Sequence, residues 1–219
     1  MQYITEELYK KMQMFQLPMD DDVSLGDLEE WGIDLDDFFL QELLARDEWY
    51  VKYTPKRLKE LLFDASGEVI FTGLTEEIIQ LVRAFRDQVE EEWAEAMAWI
   101  DASRAQASLT ASEDMQHFLS IDFQDGEIRL VDGLDTDEVS MEVLVGWDSS
   151  ELVMLTFKGV HESWMGRMHP DDANWWLYDE LSVNEKGRYV LHVLFGNADY
   201  VGQLQLVFED IEVSRLQLD

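Results

Sequence analysis

Apolar residues follow two rhythms along this chain. Through residues 1–110 they recur every three or four positions, and beyond Met115 they alternate with polar ones. The clearest helical run is Ile78, Leu81, Val82, Phe85, Val89, Trp93, Met97 and Ile100. That spacing puts one apolar stripe on a helix from Thr75 to Arg104. Some 30 residues at helical rise would be roughly 45 Å long. Thr75-Glu76-Glu77 supplies an N-cap and then acids where the helix dipole is positive. Thr5-Glu6-Glu7 predicts a first helix through Met12, ended by Leu17-Pro18, with Tyr3 and Ile4 as a short strand or a hydrophobic staple. A helix over Asp36–Trp49 would bury Phe39, Leu43 and Leu44. Thr54-Pro55 starts another, through Leu58, Leu61 and Leu62 to Ser66-Gly67. Residues 102–108 read as a helix end or connector.

The second half reads as strands with a turn about every ten residues. Phe118–Phe123 is a strand, and Asp125-Gly126 is a hairpin turn into Ile128–Val131. Asp132-Gly133 turns the chain toward Val139–Trp147, and Asp148–Ser150 toward Glu151–Val160. Residues 159–174 read as an irregular loop. Trp175–Val183, Arg188–Phe195, Tyr200–Phe208 and Ile211–Leu218 follow, with turns at Asn184–Gly187 and Gly196–Asp199. The fold class expected is α+β. Residues 1–110 form a helical half packed with an antiparallel sheet, sandwich or small barrel over 111–219, and the two are compatible with one continuous domain.

Composition narrows the function classes. The chain has 48 Asp and Glu against 16 Lys and Arg, a net charge of −32. With 47% hydrophobic residues and 8 Trp it is not a disordered acidic tail. Residues 1–110 carry 25 acids and 10 bases, and 111–219 carry 23 and 6, so the acidity belongs to the folded surface throughout. Such a surface repels phosphates and anionic lipids, which argues against direct nucleic-acid or membrane binding. No apolar stretch is long enough to span a bilayer, and the first residues lack a basic, apolar leader pattern. A cytoplasmic location is expected. The chain has no Cys, which removes disulfides, thiolate catalysis and Cys-ligated zinc.

Catalytic motifs are missing. There is no nucleophile elbow, P-loop or dinucleotide glycine pattern. His161-Glu162 begins a zincin-like pair, but Met165 stands where the second His belongs. A zinc site from His161, His169 and an acid is a remote alternative, and His192 reads as a packing residue inside a strand. The acidic interval Asp20, Asp21, Asp22 to Asp34, Asp36 and Asp37 lacks calcium-loop spacing, because Leu25 occupies the position that needs Gly. No cofactor or metal is expected, nor an enzyme.

That interval reads instead as an anionic face for a basic protein or as a solvated loop. A second concentration sets Trp164, Trp175, Trp176 and Tyr178 beside Asp171, Asp172, Asp179 and Glu180. Aromatics next to carboxylates suit an Arg-rich partner, through cation–π contact and charge-assisted hydrogen bonds. Strict alternation would put Trp175 and Leu177 on one face and Trp176 and Tyr178 on the other. The expected function is an acidic binding protein that neutralises a basic protein partner, most concretely an immunity-type inhibitor of a nuclease-like toxin. The alternatives are a nucleic-acid mimic and, further off, a metal-dependent or other enzyme.

Met1-Gln2-Tyr3-Ile4-Thr5-Glu6-Glu7-Leu8-Tyr9 and Trp176-Leu177-Tyr178-Asp179-Glu180 together resemble a bacterial family catalogued as domain of unknown function 4085. The resemblance touches both ends of the chain and implies no activity. It departs at Gln124-Asp125, where the family pattern carries a His-Asp pair. The strand-rich half is also similar to some immunity proteins of bacterial toxin systems.

Overall fold

The computed structural model of the protein describes residues 3–15, 34–145, 151–166, 168, 174–197 and 200–217. Asp20, Asp21, Asp22, Asp171, Asp172 and His169, and the turn expected at 148–150, lie outside them. The chain divides into two compact units, Glu7–Ala94, and Met1–Glu6 with Glu95–Asp219.

The first unit is helical: α1 (Glu6–Met12), α2 (Leu35–Ala45), α3 (Asp47–Tyr53), α4 (Lys56–Leu62) and the first part of α5 (Glu76–Ser108). Asp34 caps α2, accepting from the Asp36 and Asp37 N–H groups, and Thr75 Oγ1 accepts from the Ile78 N–H ahead of α5. The helix expected over 36–49 is in fact two. Arg46 leaves helical geometry at φ −140°, ψ 36°, and its guanidinium donates to the Gln13 carbonyl oxygen at 2.7 Å. Phe15 centres the core, with ring centroids 5.7, 4.6 and 5.5 Å from those of Phe39, Tyr50 and Phe85. The Tyr50 hydroxyl accepts from the Phe15 N–H and donates to Glu42, both at 2.8 Å. Burial is the main reason this phenol is held far above its ordinary pKa.

The second unit adds α6 (Glu113–Ser120) and eight strands: β1 (Gly126–Asp132), β2 (Glu138–Val145), β3 (Glu151–Lys158), β4 (Glu162–Met165), β5 (Asn174–Val183), β6 (Tyr189–Gly196), β7 (Val201–Phe208) and β8 (Asp210–Gln217). All pairings are antiparallel, in the order β4-β7-β6-β5-β1-β2-β3-β8. Two expectations fail here. Residues 118–120 belong to a helix, because Ser112 caps its N-terminus by accepting from the Met115 N–H, and Met115 and Phe118 bury its apolar face. Gly126 therefore opens β1 out of a tight turn from that helix, with no hairpin partner before it. Part of the loop expected over 159–174 is the short strand β4, paired along β7.

The sheet folds back on itself. The chain passes from β3 to β4 and from β7 to β8 within one to three residues, although each pair stands far apart in the strand order. At this corner β3–β4 and β7–β8 stay paired: the Glu209 N–H donates to the Lys158 carbonyl and the His161 N–H to the Val207 carbonyl. Lys158 faces Asp210 and Glu162 faces Val207, so residues 159–161 oppose only 208 and 209. That extra residue is a bulge, a usual device for turning a strand between sheet layers. Gly159 supplies it with φ +61°. Glu209 grips the outside of the corner, 2.7 Å from His161 Nε2 and 3.8 Å from Arg188 Nε. Inside, Phe157 of β3 meets Phe208 of β7 edge-on at 5.0 Å. Met115, Phe118, Ile121 and Phe123 join the strand residues in one buried cluster.

Candidate functional site

The opposite seam of the barrel is short. β1 and β5 pair only from Gly126–Trp176 to Ile128–Asn174. The register of β5 against β6 then slips between Trp176 and Tyr178, so Leu177 is a bulge residue. The bulge changes which side chains share a face. Trp176 and Leu181, five apart, both reach the barrel core. Asp179 therefore points with Trp176, and Trp176 Nε1 donates to its Oδ1 at 3.1 Å. The alternation expected from sequence had paired Trp176 with Tyr178.

A cleft of about 300 Å³ lies beside this bulge. The last turns of α5 supply Met97, Ile100, Asp101 and Arg104. The end of α6 and the following turn supply Leu119 to Gln124, and β5 supplies Trp176 to Asp179. The Asp179 side chain is 9% exposed. Arg104 Nη2 stands 3.4 Å from its Oδ2, which accepts no hydrogen bond among the described residues. Burial pushes this carboxyl above the ordinary carboxylate range, with Arg104 opposing. Tyr178, half-buried at the rim, is also raised, by burial first and by Asp125 second. Phe123 and Trp176 stack behind the cleft at 4.7 Å.

Glu180 points away from the barrel core and is 6% exposed. Its Oε1 accepts from the Tyr3 and Ile4 N–H groups at 2.9 and 2.7 Å, and its Oε2 lies 4.0 Å from His192 Nδ1. Burial lowers the pKa of His192 despite the Glu180 charge. Tyr3 stacks on the exposed Trp99 at 5.9 Å, a partnership that sequence spacing could not have found.

The residues singled out from sequence therefore separate. Trp176, Asp179 and Glu180 are interior and hold the second unit together, so they cannot form an exposed docking face. Trp164 on β4 and Trp175 on β5 do project outward, 57% and 39% exposed. Asp34, Asp36 and Asp37 belong to the helical unit, where Asp34 caps α2 and Asp36 accepts from the Leu74 N–H at 2.7 Å. Among the described residues no three His, Asp or Glu converge to hold a metal ion, and no helix is long and apolar enough to cross a membrane. The Asp132–Glu138 turn is a hairpin closed by Thr136, whose hydroxyl lies within hydrogen-bond distance of the Gly133 and Glu138 carbonyls, and the Asp132 carboxylate accepts from the Gly133 N–H at 2.8 Å.

Fold and site together define an α+β protein with a side-chain-filled barrel and a cleft on its flank. The chain belongs to the family described as "Protein of unknown function (DUF4085)", whose model matches residues 3–201. No curated protein and no solved structure matches it. The two stretches that carry the family resemblance meet in space, where Glu180 holds the backbone of Tyr3 and Ile4.

Proposed function

We propose that this protein is a cytoplasmic, non-enzymatic binding protein that neutralises or sequesters a basic protein, in its most concrete form an immunity-type inhibitor of a nuclease-like toxin. The observation that carries this reading is the pair of outward-facing tryptophans, Trp164 and Trp175, on a protein of net charge −32. Met165 pairs with the core residue Leu204, so Trp164 faces the other way, out of the barrel. Three strand spacings separate the two tryptophans, across β4-β7-β6-β5. A large excess of carboxylates steers a basic partner into contact, and exposed aromatic rings anchor it once docked.

The test is capture from the native host's lysate on the immobilised protein, washed at low and then moderate salt, with mass spectrometry of what stays bound. One basic nuclease or DNA-binding protein retained at moderate salt, and lost from a Trp164→Ala/Trp175→Ala variant, is the expected result. Generic basic proteins that all elute together as salt rises would remove the reading.

A further inference from the structure

The N-terminal segment is held to the barrel by a carboxylate that also faces a histidine. Glu180 Oε1 accepts both the Tyr3 and the Ile4 N–H groups, at 2.9 and 2.7 Å. Ile4 is wholly buried, and the Tyr3 ring stacks on Trp99. Residues up to Glu6 belong to the barrel unit, although the helical unit begins at Glu7. Glu180 and His192 stand opposite each other on β5 and β6. His192 Nδ1 is buried, 4.0 Å from Glu180 Oε2, and makes no hydrogen bond among the described residues. That separation is too long for a hydrogen bond. An imidazole nitrogen thus stands unused beside the carboxylate that grips the segment.

We propose that Tyr3–Thr5 is a strap released by acid, with protonation of His192 as the trigger. A protonated Nδ1 turns an N–H toward Oε2 and needs a separation of about 2.8 Å for a charge-assisted hydrogen bond. Closing the gap by about 1 Å draws the carboxylate off the Tyr3 and Ile4 N–H groups. Burial makes an imidazolium costly where His192 stands, and the positive amino terminus adds to that cost, while Glu180 opposes both. Undocking the strap admits water to His192 and takes the amino-terminal charge away. Gln205, opposite His192 on β7, is neutral, and Val190 and Leu194 flank it on its own face of β6. His192 holds its proton more weakly with the strap docked than with it free. Docking is therefore favoured above the ordinary imidazole value of 6.5 and is lost as pH falls through the lowered one. Through Gln205, His192 shares a cross-strand row with Trp164, so the strap is anchored on the same outer face as that exposed ring. The release itself requires no partner.

The experiment is an NMR titration of the full chain from about pH 7.5 to 4.5, following the Ile4 amide and the His192 Cε1 proton. The Ile4 N–H, bonded to a carboxylate, should start downfield, move upfield as pH falls, and share its midpoint with His192. His192→Gln should match wild type at about pH 7.5 and hold the Ile4 signal in place down to about pH 5. His161→Gln, which changes a histidine on the barrel corner, should leave the Ile4 response intact. An Ile4 signal that stays fixed while His192 titrates, or that moves with a different midpoint, would overturn the proposal, and this wild-type result stands even if the His192 variant does not fold. An Ile4 response that survives in His192→Gln would also overturn it, by placing the titration on the carboxylates, as would one lost in His161→Gln.

Discussion

The Glu180 carboxylate accepts the Ile4 backbone N–H at 2.7 Å, across 176 residues of chain, and takes the Tyr3 N–H on the same oxygen. One buried side chain thus ties the N-terminal segment to a barrel strand. Hydrogen bonds to a charged acceptor contribute about 1.5–3 kcal/mol, and two donors would otherwise be left buried. Glu180→Ala should therefore destabilise the protein by about 2–4 kcal/mol, and Glu180→Gln by less, because an amide oxygen still accepts. Urea midpoints at constant slope measure both. Equal midpoints for wild type and Glu180→Ala would show that the tie contributes nothing.

Asp179 gives a pH signature. Its folded pKa is raised above the ordinary 3.8 by burial. The folded state therefore holds this proton more tightly than the unfolded chain, and the associated stability is present below that value and lost as pH rises through the folded pKa. Asp179→Asn has no such proton. The stability of Asp179→Asn relative to wild type should rise as pH increases from about 3.8, then level off. Parallel stability curves from pH 3 to 8 would contradict the assignment.

The paired tryptophans should behave oppositely. Trp176 is fully buried, stacked on Phe123 and bonded to Asp179. Trp176→Phe removes the donor to a buried carboxylate and should cost about 1.5–3 kcal/mol. Trp175→Phe, at a side chain 39% exposed, should stay within about 0.5 kcal/mol of wild type. Thermal or urea unfolding of the two variants side by side decides this. In partner binding the order should reverse, with Trp175→Ala and Trp164→Ala weakening affinity about 30-fold, as interface anchors do.

Gly159 sets the barrel corner. At φ +61° an L residue is strained, and an added Cβ would lie 3.0–3.1 Å from the Glu209 side chain. Gly159→Ala should cost about 1–2 kcal/mol, with Gly159→Asn milder because Asn tolerates this conformation. If the two substitutions shift the urea midpoint equally, the backbone account fails and crowding against Glu209 is the cause.

Much of the local structure was legible in the sequence because its causes are local. Thr75 and the three-four spacing from Ile78 to Ile100 specify α5 without reference to any neighbour. Asp132-Gly133 and Asn184–Gly187 turn the chain where their backbone preferences require. Family membership, too, followed from two short stretches. The segment 118–123 misled because Leu119, Ile121 and Phe123 fit a strand rhythm, while the deciding signal was the Ser112 cap upstream. Only the tertiary structure decided that Leu177 is a bulge, which turned Asp179 inward and made a cleft. It also decided that Glu180 meets Ile4 and that the strand pairs β3–β4 and β7–β8 turn one corner together. Register slips and contacts between distant segments depend on what each strand finds opposite it, and a linear pattern of polar and apolar positions does not record that.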